Sequence, residues 1–221
     1  MKKINIAIDG LAGSGKSSVA KVVADRLGYT YIDTGSMYRC VAYLVVINKI
    51  DPSDNEKILN LITNHYDYAY KNPEVYLNGE NVTLKIRSQE VNEMLPKIVA
   101  NLDVRKFLVG KQQEIGKQKG VIMDGRDITS VVLKDAELKI YQVADVNVRA
   151  DRRYKENLKK GIDASYEEIL ENLKKRDYVD TYVSKALVKT EDSIVLDTTN
   201  MDFEEVVNYI LKLVEERVRV W

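Results

Sequence analysis

The sequence predicts an α/β fold, a parallel sheet flanked by helices, and three observations carry that expectation. Five short apolar runs, beginning near residues 4, 29, 121, 138 and 193, are separated by stretches of helical periodicity or by insertions. The first of them, Ile4-Asn5-Ile6-Ala7-Ile8, leads into Gly10-Leu11-Ala12-Gly13-Ser14-Gly15-Lys16-Ser17, followed by a helical pattern from Ser17 to Leu27. The third, Val121-Ile122-Met123, ends in Asp124.

The first run is a complete phosphate loop in its strand-loop-helix setting. Gly10, Gly13 and Gly15 let the backbone bend around a di- or triphosphate without Cβ clashes, and the N–H groups at the helix start point at the anion. Lys16 can reach the β and γ phosphates, and the Ser17 hydroxyl can ligate Mg²⁺. The residues from Gly10 through Leu11, Ala12, Gly13, Ser14, Gly15, Lys16 and Ser17 to Ser18 are therefore the expected nucleoside triphosphate site. A turn that only joined a strand to a helix would need neither the eight-residue pattern nor both flanks.

Composition narrows the class. A chain of 221 residues suits one α/β domain, 1–221, with insertions. Its 34 basic and 34 acidic residues balance, which argues against a basic face for nucleic acid. The single cysteine, Cys40, excludes an intramolecular disulfide and reads as a small packed apolar residue. No apolar run approaches the length of a membrane span, and the strand at Ile4 begins too near Met1 for a signal peptide. The expectation is a soluble, cytoplasmic monomer with no membrane partner.

Along the chain, Gly28 closes the first helix and Tyr29-Thr30-Tyr31-Ile32 forms a strand ending at Asp33. Thr34-Gly35-Ser36-Met37-Tyr38-Arg39 then opens the next helix. Ligands of open parallel sheets sit beyond the carboxyl ends of the strands, so 33–39 is placed to hold a second substrate. Arg39 taken alone reads equally well as a solvated helix arginine. Asn48-Lys49-Ile50-Asp51 matches a guanine-reading motif in spelling, but it follows a helix and precedes the helix-start signal Pro52-Ser53-Asp54, so a surface turn is expected.

From His65 to Ser88 the β-formers cluster, and Asn78-Gly79 signals a hairpin, which predicts a small inserted antiparallel sheet. Its tyrosines read as packing residues in preference to a base-stacking platform, and His65 is assigned no chemistry. Residues 90–119 are helical with an interruption at Pro96, and carry Arg105.

Asp124-Gly125-Arg126-Asp127 follows the third strand. An aspartate there is the expected carboxylate on the Mg²⁺ side, acting through water. Its neighbours, an arginine and a second aspartate, suit another anion better than the activation of water, which favours transfer over hydrolysis. Leu138 to Val143 reads as the fourth strand. A helix from Val146 to Lys160 carries Arg149, Arg152 and Arg153, and after Gly161 a second helix, from about Tyr166 to Asp180, carries Arg176, Asp177 and Asp180. This charged pair reads either as a mobile flap hinged at Gly161 or as a solvated hairpin rich in ion pairs. Ser193 to Asp197 is the last strand and Phe203 to Val220 the final amphipathic helix.

Taken together, the phosphate loop, Asp33 to Arg39, Ile86-Arg87-Ser88-Gln89-Glu90-Val91, Asp103-Val104-Arg105, Asp124 to Asp127, Val148-Arg149-Ala150-Asp151-Arg152-Arg153, and Arg176-Asp177 with Asp180 resemble bacterial cytidylate kinases. The resemblance runs in order from Ile4 to the final helix. It implies a P-loop kinase with a five-stranded parallel sheet, a monophosphate-binding insert (34–105) that includes a small antiparallel sheet, and a helical lid (149–183). It also implies transfer of the ATP γ-phosphoryl group to CMP or dCMP with Mg²⁺ bound at Ser17 and Asp124. Carried over by position, Arg39 and Arg126 would hold the CMP phosphate, Arg105 and Asp127 would read the cytosine edge, and Arg176 and Asp180 would face the sugar. Asp33 and Thr34 would belong to the same acceptor site. Lys16, Asp124, Arg149, Arg152 and Arg153 would be catalytic, the arginines closing over the phosphates.

Two departures stand out. Val183 occupies a position where the family pattern has an arginine three residues after the lid aspartate, with Lys185 nearby. Pro96 stands where many members carry a serine. A kinase for a different small acceptor, or a nucleotide-binding protein without catalysis, are the alternatives. Retention of Lys16, Ser17 and Asp124 argues against the second.

Overall fold

A computed structural model describes residues 2–71, 73–159 and 161–220. Lys160, expected at the end of a helix, lies outside these residues. The main strands and helices follow in the order β1 (Ile6–Gly10), α1 (Lys16–Leu27), β2 (Thr30–Asp33), α2 (Thr34–Ile47), α3 (Asn55–His65), β3 (Tyr68–Lys71), β4 (Glu74–Leu77), β5 (Glu80–Asn81), α4 (Gln89–Ala100), α5 (Leu102–Gly116), β6 (Val121–Gly125), β7 (Leu138–Val143), α6 (Val146–Lys159), α7 (Tyr166–Tyr178), β8 (Ile194–Asp197) and α8 (Phe203–Val220). The large sheet has the order β2-β6-β1-β7-β8, and the small one β3-β4-β5.

By its internal contacts the chain forms two compact units, Met1–Thr30 with Gln118–Trp221, and Tyr31–Lys117. In the first, β1 lies between parallel neighbours, with Ile8 opposite Asp124 of β6 and Ile140 of β7. Strand β8 extends the same sheet in parallel register, Ile140 opposite Ile194. Ile6, Ala7 and Ile8 are fully buried, as expected of a central strand covered on both faces. Parallel strands share one carboxyl edge, and it gathers Gly10, Gly125 and Val143. The strands run slightly past their apolar cores, so that Asp9, Gly10 and Asp124 are strand residues.

Helices α6 and α7 have an apolar core of their own. Ala150, Ile169 and Leu173 pack around Ala12 of the phosphate loop, with Val146, Tyr154 and Leu170 beside them. The α7 helix begins in a capping box, with Ser165 and Glu168 each bonding the other's backbone N–H. It ends at Tyr178, and a π turn over Val179–Val183 carries Asp180, where the sequence had suggested a continuous helix to Asp180. Wider π geometry takes over because the carbonyls of Val179 and Asp180 bond the Ser184 hydroxyl and, for Val179, its N–H.

In the second unit the expected interruption at Pro96 is corrected. The proline sits inside α4, and the helix runs on to Ala100. It forfeits one backbone bond, but Val91 and Ile98 are buried on either side of it and hold both halves of the helix. The break falls at Asn101, whose side chain accepts from the N–H groups of Asp103 and Val104 and so starts α5. Asn78 and Gly79 both have positive φ, 52° and 79°, the twist a tight hairpin between β4 and β5 demands. The tyrosines pack: Tyr31 meets Tyr70 edge to face at 5.2 Å and Tyr66 meets Phe107 at 5.7 Å. Asn48 closes α2, and the Asp51 carboxylate accepts from Ser53, so the Asn-Lys-Ile-Asp stretch is a turn.

Candidate active site

The phosphate loop is held from β7. Leu11 N–H donates to the Gln142 carbonyl at 3.3 Å, and the Gln142 side-chain amide donates to the Ser14 carbonyl at 2.6 Å. Gly10 lies so close to β7 that a Cβ on it would come within 1.9 Å of the Gln142 carbonyl oxygen. Gln142 was legible in the sequence only as a strand residue, because both of its partners lie more than a hundred residues away. Ala12, Ser14 and Lys16 are buried, while Gly13, Gly15, Ser17 and Ser18 face solvent along the open side of the loop.

Lys16 folds back on the loop, donating to the carbonyls of Gly10 at 2.9 Å and Leu11 at 2.7 Å. Burial and the nearby Arg126 charge lower its pKa to about 7, against the pull of Asp124 and Asp9. The Ser17 hydroxyl donates to the buried Asp124 carboxylate at 2.7 Å. Two hard oxygen donors side by side fit Mg²⁺, which takes one or two protein oxygens and fills its other positions with water and substrate phosphate.

Past Asp124, Arg126 pairs through Nε with Asp180 at 2.5 Å, and both heads are about a fifth exposed. Asp127 begins a π turn over Ile128–Val132. Asp9, which no sequence motif singled out, is fully buried and accepts from Ile128 N–H at 2.9 Å, from Thr129 N–H at 2.7 Å and from the Thr129 hydroxyl at 2.7 Å. Desolvation raises its pKa, and those hydrogen bonds oppose the rise.

The three arginines of α6 have different surroundings. Arg149 is buried, donating to the carbonyls of Ala144 and Ala12 and pairing with Asp177 at 2.7 Å. Arg152 reaches Thr198 and the Met201 carbonyl, and with Ser14, Gly15, Gln142 and Phe203 it lines a largely apolar cavity of about 280 Å³. Arg153 is exposed and pairs with Glu156. Burial and the charge of Arg126 lower the pKa of Arg176. Val183 and Lys185 are exposed.

The remaining candidates are in the second unit. Asp33 caps α2, accepting from Ser36 N–H at 3.0 Å, and Thr34 is the first, buried residue of that helix. The Ser36 and Tyr68 hydroxyls are 2.6 Å apart. Arg39 donates to the Ile86 carbonyl at 3.1 Å and to the Asn92 side chain at 2.7 Å, so it belongs with the Ile86-Arg87-Ser88 segment. Arg105 is half-buried on α5.

A parallel sheet whose first loop has the glycine-rich form of a phosphate loop, with a serine and a strand-end aspartate in contact beside the loop lysine, defines a P-loop kinase. The fold alone is shared with a gluconokinase from Sinorhizobium meliloti (TM-score 0.53, 14% identity, covering 99% of this chain and 95% of that one). The cytidylate kinase family model matches residues 6–216. Cytidylate kinases from Caldicellulosiruptor bescii, Streptococcus uberis and Bacillus subtilis are 48%, 44% and 41% identical, each over 96% or more of both chains. The chain belongs to the cytidylate kinase family and is a nucleoside-monophosphate kinase.

Proposed function

We propose that the protein transfers the γ-phosphoryl group of Mg-ATP to CMP or dCMP, giving CDP or dCDP and ADP. The observation that carries this reading is the Ser17–Asp124 contact beside the phosphate loop, with Arg126 and Asp127 following Asp124 directly. Binding and charge placement do the work, since phosphoryl transfer needs positioning and electrostatic stabilisation more than covalent help. Lys16 leaves its own carbonyls for the donor phosphates, and the loop N–H groups bind the rest of that anion. When bound at Ser17 and, through water, at Asp124, Mg²⁺ supplies positive charge to the donor phosphates. The cavity beside Gly15 and Arg152 has the size and apolar lining for the donor base.

On the acceptor side, Arg39 and Arg126 bind the monophosphate, and Arg105 and Asp127 read cytosine, which offers an exocyclic amine to a carboxylate and acceptors to an arginine. Asp33 and Thr34 belong to this acceptor set, and Arg176 and Asp180 face the sugar. Arg153 stabilises charge on the transferring group, while Arg149 and Arg152 hold the loop and the donor cavity. An ADP-release assay across CMP, dCMP, UMP, AMP and GMP tests the reading; inactivity toward every pyrimidine monophosphate overturns it. Exposed Val183, standing where the family pattern has an arginine, favours a second reading in which the preferred acceptor is another nucleoside monophosphate. The same screen separates the two.

A further inference from the structure

We propose that Asp9 is a positioning residue that aims Arg126 and Asp127 at the acceptor by capping, from the neighbouring strand, the π turn that follows them. The inference rests on the acceptor roles proposed above for those two residues.

A helical turn leaves its first N–H groups without internal partners, and the residue before it ordinarily satisfies them with its own side chain. Here that residue is Asp127, of a type well suited to capping, yet it makes no side-chain cap bond. The N–H groups of Ile128 and Thr129 donate to Asp9 instead, and the Thr129 hydroxyl adds a third bond. A carboxylate with no solvent exposure is expensive to bury, and three donors on its two oxygens offset that cost. The outcome is functional as well as structural. The backbone on the carboxyl side of Asp127 is fixed to the strand that begins the phosphate loop. On its amino side, β6 is fixed by its register, Asp9 lying opposite Gly125. Arg126 and Asp127 are thus clamped between two attachments to β1, and Asp9 takes part in both.

Asp9→Asn keeps the shape and removes one accepting oxygen. In the folded variant the CMP KM is expected to rise about tenfold, while affinity for an ATP analogue changes less than about threefold. Thr129→Val should move the CMP KM in the same direction by about threefold, and Thr129→Ser, which keeps the hydroxyl, should restore it. A folded Asp9→Asn with wild-type CMP KM, or with ATP-analogue affinity lowered as far as CMP, overturns the proposal. If Asp9→Asn does not fold, Thr129→Val decides, and a CMP KM equal to that of the wild type overturns it. Failure of the acceptor assignment itself shows separately, as a wild-type enzyme that phosphorylates no cytidine monophosphate.

Discussion

Arg149 and Asp177 meet at 2.7 Å, and between them they hold both backbone groups of Ala12, Asp177 accepting its N–H at 3.2 Å and Arg149 donating to its carbonyl at 2.8 Å. Helices α6 and α7 therefore grip the phosphate loop through a buried guanidinium that is 3% exposed. Arg149→Ala would strand Asp177 and two carbonyls, and is expected to lower stability by about 3 kcal/mol in urea unfolding. Arg149→Lys should recover little of it, because one ammonium cannot span Ala144, Ala12 and Asp177 together. A lysine variant as stable as wild type would show that charge alone is needed there.

Arg126 presents the opposite balance. Its head is 22% exposed and its ion-pair partner is Asp180. Arg126→Ala is expected to cost under about 1 kcal/mol of stability. If Arg126 binds the acceptor phosphate as proposed, the variant's kcat/KM for CMP should fall by about 10²–10³. Comparable losses in both measurements would make the residue structural.

Burial, together with the charge of Asp33, pushes the Cys40 thiol up to about 12. The thiolate is the reactive form, so at pH 8 the folded protein should resist iodoacetamide and react only after denaturation, as read by intact mass. An acid with a raised folded pKa holds its proton longer in the native state, so this thiol costs nothing below the unfolded pKa. It destabilises progressively as pH rises from the unfolded value towards about 12. Rapid labelling of the native protein would contradict the packed environment.

Two glycines should respond very differently to alanine. Gly28, with φ of 63°, has no atom of the described residues within 4 Å of a built Cβ, so Gly28→Ala meets only backbone strain of about 1–2 kcal/mol. At Gly10 the new methyl would lie 1.9 Å from a backbone oxygen of β7, which cannot move without breaking the sheet. Gly10→Ala is expected to lose more than about 3 kcal/mol or to fail to fold. Equal unfolding midpoints for the two variants would refute the close approach.

The large sheet, the phosphate loop, the strand-end aspartate and the Asn-Gly hairpin were legible in the residues because each is written locally. Glycines mark where the backbone must bend, apolar runs mark strands, and an asparagine before a glycine marks a tight turn. Pro96 misled for a related reason: the lost bond is a local signal, whereas the burial of Val91 and Ile98 that outweighs it comes from tertiary packing. Three neighbouring arginines on α6 looked alike in sequence, but one is buried against the loop, one lines the cavity beside Gly15 and one is exposed. Helical spacing gives direction around an axis and says nothing of what waits there.

By itself, then, the sequence determined the order of the strands and helices along the chain, the anion-binding loop and the family likeness, all of which depend on residue type at fixed short spacing. Tertiary structure alone decided that Asp9 caps a turn 119 residues away and that Gln142 braces the loop across 128. Partners so distant leave no periodicity to read, and a buried carboxylate or amide acquires its role only from the donors and acceptors that folding brings to it.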